Sequence, residues 1–289
     1  DAPGYGIFFS ETRTALRVAD AAVLCVSAVA GAEVNTEKVW EAASELGLPV
    51  ILNANKMDRD RADLGRCLES LQQTFGRQVL PVQLPIGAEK DFVGVVDLVR
   101  LKAYRFERDG SGKAKEEAIP AELATGVAEA RTRLIEAVAE ADEHLLEKFF
   151  EEGTLEAADL EAGLRSAILG RKLFPLTLGS SLHLVGCSTL LDFLVDYAPS
   201  PAEHPYPAHT IDGKTVMLDA DPAKPVVAIV FKTLNDPFTG RLSILRVLSG
   251  TLHNDSQLWN VRAEETEKAH GLAHLQGKQG TATPKLIAG

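Results

Sequence analysis

Three short apolar runs, at residues 22–27, 49–53 and 79–84, are separated by stretches with helical spacing of apolar residues. This alternation constrains the fold more than any other feature of the chain. Strands that are apolar throughout, and not only at every second position, are buried on both faces. Strand–helix–strand repeats lay such strands side by side in a parallel sheet, with the helices as crossovers. Helices are predicted over 8–19, 36–46 and 62–75, with Gly47 as a stop signal for the second. The first 85 residues therefore read as α/β.

The pattern changes from Gly87 onward. Short β-like pieces at 92–99 and 103–106 lead into a Gly/Lys/Glu-rich turn over 109–117. A long helix follows, with Leu134, Val138, Ala141, Leu145 and Phe149 on one stripe. A second helix, over 155–169, carries Leu160, Leu164 and Ile168, and the acidic residues here read as a solvated face. Residues 173–178 resume an apolar strand, and a helix follows over 189–198. Residues 1–85 and 173–200 thus form one α/β domain, interrupted by a mainly helical α+β insertion over 86–172. Pro199, Pro201, Pro205 and Pro207 mark a linker over 201–225. Beyond it, runs at 226–232, 242–248 and 256–261, with turns at 236–240 and 249–250, read as a small partial β-barrel over 226–289.

Composition excludes several classes. A net charge of −11 gives no overall basic field to hold nucleic acid, so any contact with RNA must use local patches or protein surfaces. Three scattered cysteines, Cys25, Cys67 and Cys187, fit a reducing cytoplasm, and Cys25 reads as a small buried hydrophobe. The longest nearly apolar run, 21–30, is too short to span a bilayer, and the first residues do not read as a signal peptide. No membrane partner is expected.

The second apolar run ends in Asn55-Lys56-Met57-Asp58. Guanine offers two adjacent N–H donors on one edge, and a single carboxylate, Asp58, can accept both. Adenine lacks that pair. A site built on such bonds rejects the wrong partner by roughly 10⁴–10⁵ in favourable cases. Asn55 can bridge loops with its amide, and the Lys56 stem can lie over the base. By itself the quartet also reads as a polar turn after a strand. Asp1-Ala2-Pro3-Gly4 fits D-x-x-G, in which Asp can hold a magnesium-bound water and Gly lets a backbone N–H approach a γ-phosphate. Gly179-Ser180-Ser181 follows the strand at 173–178, where a small-residue loop can offer a backbone N–H to guanine O6. Two further patterns carry little. Residues 208–215 match a relaxed phosphate-loop pattern, but prolines precede them and no helical stripe follows, so they read as a linker turn. His270 and His274 have a metal-like spacing only if helical, with no partner ligand in evidence.

D-x-x-G, N-K-M-D and G-S-S, in that order and followed by Pro199-Ser200-Pro201 and a β-barrel, resemble the elongation factor G family of translational GTPases. The similarity extends to Pro81 through Glu89, Gly94 through Leu98, and Asp236-Pro237-Phe238-Thr239-Gly240-Arg241-Leu242. Asp1 through Gly6 most resembles the divergent elongation factor G-like branch. The resemblance implies a P-loop GTPase domain, its insertion, and translation factor domain II. It implies GTP and GDP as ligands, with Mg2+ held through water at Asp1. Gly4 would sense the γ-phosphate, and Ala2, Pro3 and Tyr5 would line that loop. Asn55, Lys56, Met57 and Asp58 would form the guanine reader, and Gly179, Ser180 and Ser181 would close over the base. The implied partner is the ribosome, both rRNA and ribosomal proteins, met by a cytoplasmic monomer.

Two departures stand out. Tyr5 occupies the position of the family's His that helps place the attacking water, so Tyr5 and Gly4 are the catalytic candidates. The phosphate-binding loop of the family has no counterpart in residues 1–289, so the chain reads as a fragment, truncated at both ends and inactive alone. With the strand at 22–27 left as an unpaired apolar edge, its first third is expected to fold poorly in isolation. Related ribosomal GTPases of the peptide-release or ribosomal-protection type, and a nucleotide-free ribosome-docking module, are the alternative readings.

Overall fold

The computed structural model describes residues 2–236, 240–277 and 279–289. Its chain divides into two compact units, Asp1–Ala198 and Pro199–Gly289.

In the first unit, β1 (Ala22–Ser27) and β2 (Val50–Asn55) lie parallel, joined by helix α2 (Val34–Glu45). Helix α1 (Phe9–Leu16) precedes β1, behind a short 3-10 turn over Gly6–Phe8. Helix α3 (Leu64–Phe75) leads to β3 (Val79–Pro81). Strand β8 (Phe174–Leu178), which arrives nearly a hundred residues later, inserts between β2 and β3 and pairs in parallel with both. The sheet order is β1-β2-β8-β3. Every residue of β8 is buried, as are the first five of β2, so the sheet centre is dry on both faces. Leu52, Leu176 and Leu178 are wholly enclosed there. Each fully buried Leu contributes roughly 1.5–3 kcal/mol.

Helix starts follow local chemistry. Asp63 caps α3 by accepting the Arg66 N–H at 2.7 Å. Glu33 and Thr36 form a reciprocal capping box at the start of α2.

Four corrections to the sequence reading have clear causes. The run at 79–84 is two strands, not one: β3, and β4 (Gln83–Ile86) in a separate antiparallel sheet. The chain changes sheets at Val82, whose N–H donates to Leu176 O at 3.1 Å and whose carbonyl accepts from Leu98 N–H at 3.0 Å. That second sheet continues with β5 (Gly94–Asp97), β6 (Lys102–Phe106) and β7 (Ala114–Glu117). β7 falls inside the expected turn; it is an exposed edge strand whose Lys and Glu residues mask its β character. The expected long helix is broken into α4 (Ala124–Glu140) and α5 (Glu143–Glu152). Asp142 makes the break by capping α5, accepting the N–H groups of His144 and Leu145. Cys25 is exposed, not buried, because β1 is at the sheet edge and turns Val23 and Cys25 outward.

Helix α6 (Ala157–Leu169) packs Leu160, Leu164 and Ile168 against α4 residues Leu134 and Val138 in a core that also takes in Ile51 of β2. Arg171, just before β8, donates from its guanidinium to Ser44 O and Ser44 Oγ at 3.1 and 2.9 Å, tying this segment to α2. Helix α7 (Cys187–Tyr197) completes the unit.

The second unit opens with a hairpin, β9 (Tyr206–His209) and β10 (Thr215–Leu218), inside the expected linker. Residues 208–215, the relaxed phosphate-loop match, are the tip of this hairpin, with Gly213 at φ +81° and no helix after it. Four antiparallel ladders follow. They pair β11 (Val227–Asp236) with β12 (Gly240–Ser249), β13 (Thr251–His253) with β18 (Lys285–Ile287), β14 (Gln257–Asn260) with β15 (Glu265–Lys268), and β16 (Ala273–Gln276) with β17 (Gln279–Ala282). Val247, Leu252 and Leu272 form their small core. Pro237, Phe238 and Thr239, where the sequence predicts a turn, lie outside the described residues. His270 precedes β16 and His274 lies on it, so the pair is not on a helix.

Between β8 and α7 the chain must turn back within eight residues, and Gly186 makes this possible. It has φ +80°, and a Cβ there would stand 2.3 Å from Leu178 O and 3.0 Å from Gly179 Cα. Gly186→Ala is expected to lower stability by about 2–4 kcal/mol, from strain plus a backbone clash. A urea titration reads this as a lower midpoint with an unchanged slope; an unchanged midpoint would contradict the tight turn.

Candidate guanine-reading site

The site forms where β2 and β8 end side by side, with Ala54 opposite Leu178. Backbone bonds stitch the two exit turns together. Gly179 N–H donates to Ala54 O at 3.0 Å, and Met57 N–H donates to Gly179 O at 3.2 Å. Beneath them, Thr177 Oγ1 donates within reach of Leu52 O and Asn53 Oδ1 at 3.1 and 3.0 Å. A polar strand end in a buried sheet is thereby satisfied.

Asn55 is the clamp between the loops. Its Nδ2 donates to Ser181 Oγ at 2.5 Å, and its Oδ1 accepts the N–H groups of Ser181 at 2.9 Å and Lys56 at 2.7 Å. Lys56 is exposed and left-handed, at φ +65°, which reverses the chain and sends Met57 inward, where it is 2% exposed. The reversal brings Asp58 under the rim: its side chain is only 7% exposed, although its neighbours Lys56 and Arg59 are open to solvent. Oδ2 of Asp58 stands 4.0 Å from Arg59 Nε and 3.8 Å from His183 Nε2, both beyond hydrogen-bond length. A carboxylate shielded from water strengthens any donor pair it accepts.

The three-residue loop departs from expectation in detail. Gly179, Ser180 and Ser181 all have their N–H groups engaged, with Ala54 O, Val185 O and Asn55 Oδ1 respectively. No backbone donor among them stands idle for guanine O6, because the Asn55 clamp and the Ser180–Val185 bridge take them. Ser180 is fully buried and its hydroxyl has no hydrogen-bond partner among the described residues, so it lies beneath the loop instead of over a base. Ser181 is the exposed member. His183 is the residue that sequence reasoning misses. In the sequence it stands two residues beyond Ser181, and no motif includes it.

The other predicted residues stand on a separate loop. Asp1 lies outside the described residues. Ala2 is half-buried, and Pro3, Gly4 and Tyr5 are exposed, with Tyr5 at 76%. Gly4 O accepts from Asn35 Nδ2 at 3.0 Å, which ties the loop to the first turn of α2. No atom lies within 4 Å of where a Gly4 Cβ would be, leaving that face open. Among the described residues no group of three or more His, Cys, Asp or Glu side chains could hold a metal ion, and no helix is long and apolar enough to cross a membrane.

Known proteins resemble this chain along its whole length. Residues 1–200 match the family model for the elongation factor Tu GTP binding domain. Elongation factor G of Mycoplasma pneumoniae is 37% identical over 290 aligned residues, which take in all of this chain and 42% of that protein. A crystal structure from Thermus thermophilus superposes with a TM-score of 0.84 at 34% identity, covering all of this chain and 40% of the other. The chain therefore spans about two-fifths of the length of the relatives it matches. It belongs to the family of the elongation factor Tu GTP binding domain, and over its whole length it is similar to elongation factor G.

Proposed function

We propose that this chain carries the guanine-reading half of a ribosome-associated GTPase that binds and hydrolyses GTP to drive a translocation-like step of protein synthesis. The observation that carries the proposal is the Asp58 carboxylate, shielded to 7% exposure beside a loop pair locked by Asn55 and Ser181. Asp58 accepts the N1 and N2 donors of guanine. Low exposure makes the bonds worth more than in open water, and an adenine in the same place would leave a carboxylate facing an acceptor. Asn55 acts by positioning: it holds the two loops at the spacing a base requires. Lys56, exposed at the turn, lays its stem across the base plane. Ser181, the exposed residue of the neighbouring loop, closes over the base.

Part of the phosphate chemistry falls to the D-x-x-G loop. Gly4, with its open Cβ face, lets a backbone N–H meet the γ-phosphate. Asp1 supplies a single hard carboxylate, the donor type magnesium takes alongside phosphate oxygens. The ion itself contributes neutralisation of phosphate charge. Tyr5 is exposed, and its hydroxyl can hydrogen-bond an attacking water. Residues 86–172 act as an insertion, and residues 226–289 as part of domain II, which meets the small ribosomal subunit. The protein works in the cytoplasm, as a monomer.

Two substitutions in the full-length polypeptide test these roles. Asp58→Asn presents one acceptor and one donor, and is expected to shift preference from guanosine to xanthosine nucleotides by at least about tenfold in competition binding. An unchanged preference for GTP would refute the role of Asp58. Tyr5→His is expected to raise ribosome-stimulated turnover several-fold, since an imidazole can also take up a proton near neutral pH. Equal turnover in the two proteins would show that Tyr5 does not limit placement of the water.

A further inference from the structure

Among the described residues, His183 is the titratable cation that faces the guanine-reading carboxylate. Its Nε2 stands 3.8 Å from Asp58 Oδ2, with the imidazole side chain 35% exposed and the carboxylate 7% exposed. The other cation near the same oxygen is the Arg59 guanidinium, whose Nε stands at 4.0 Å. On the far side of the His183 loop, the turn over 109–113 packs on Leu184, where a Cβ on Gly112 would lie 3.2 Å from Leu184 Cβ. That turn carries Asp109 and Lys113. Asp109 Oδ1 is already engaged by Ser111 N–H at 2.8 Å, and bonding to Ser111 holds the Asp109 carboxyl below the usual range. Asp58 is thus the shielded partner of His183.

We propose that His183 is a proton-operated competitor for Asp58 and sets how the guanine site responds to pH. This rests on the assignment of Asp58 as the guanine reader. A protonated imidazolium gains from the carboxylate; a guanine base that places two N–H donors on that carboxylate displaces the imidazolium or weakens its pairing. Guanine binding then releases a proton from a charged imidazole, and linkage requires affinity to rise with pH. The span expected of a partly exposed ion pair is roughly threefold to fivefold.

The test is GDP binding by calorimetry in the full-length polypeptide, at pH 6 and pH 8, with wild type, His183→Gln and His183→Lys. The nucleotide's own phosphate titrates in this range, so His183→Gln supplies the baseline. Relative to that baseline, wild type should gain roughly threefold to fivefold in affinity between pH 6 and pH 8. His183→Gln should resemble wild type at pH 8, and His183→Lys, a permanent cation, should lose the wild-type pH dependence and follow the slope of His183→Gln. Parallel pH profiles for wild type and His183→Gln would overturn the proposal while leaving the guanine assignment intact. GDP binding that is indifferent to Asp58→Asn would overturn both.

Discussion

Two hydrogen bonds, from Asn55 Nδ2 to Ser181 Oγ and from Ser181 N–H to Asn55 Oδ1, close a link between residues 126 positions apart. The geometry of the site depends on this link. It joins the exits of two parallel strands whose own pairing ends one residue earlier on β2, at Ala54. Without it, each loop would be anchored only at its strand, and the Asp58 carboxylate would have no fixed position relative to Ser181. A side chain that satisfies three polar partners at once is a costly thing to remove, because each partner is left to find water or go unpaired.

The sheet beneath makes the link possible. β8 enters between β2 and β3 after a long excursion through the antiparallel sheet and α4 to α6. Closing so large a loop is entropically unfavourable, but the cost grows only logarithmically with length. Burial of β8 along its whole length offsets it. The excursion is also anchored: Arg171 donates to Ser44 of α2, and Arg131 of α4 donates to the carbonyls of Leu98 and Val99 after β5. Tyr197, at the end of α7, is enclosed in this same region, and burial pushes its phenol well above the ordinary range.

Much of this is legible in the sequence because it follows from periodicity. β1, β2 and β8 are evident as apolar runs, and α2, α3 and α6 from the spacing of apolar residues, with Gly47 as a stop for α2. What the sequence hides depends on partners distant in the chain. Nothing within 79–84 says that Val82 bonds to Leu176 on one side and Leu98 on the other and so divides the run in two. β7 is all Ala, Lys and Glu, a composition that reads as turn until β6 is placed beside it. Asp142 reads as one more acidic residue on a solvated face, and only its bonds to His144 and Leu145 N–H reveal the break. The quartet at 55–58 is readable as chemistry. The engagement of the Ser181 N–H by Asn55, and the approach of His183 to Asp58, are not, since both are contacts between loops.

The central claim is that Asp58 reads the paired donors on guanine. It is tested most directly by equilibrium competition among guanosine, inosine and adenosine diphosphates in the full-length polypeptide. Inosine keeps the N1 donor and lacks the 2-amino group; adenine lacks both donors at the matching positions. The account predicts affinity in the order guanosine, inosine, adenosine, with inosine weaker by about tenfold or more and adenosine weaker by several orders of magnitude. Inosine binding as tight as guanosine, or adenosine within about tenfold of it, would contradict it.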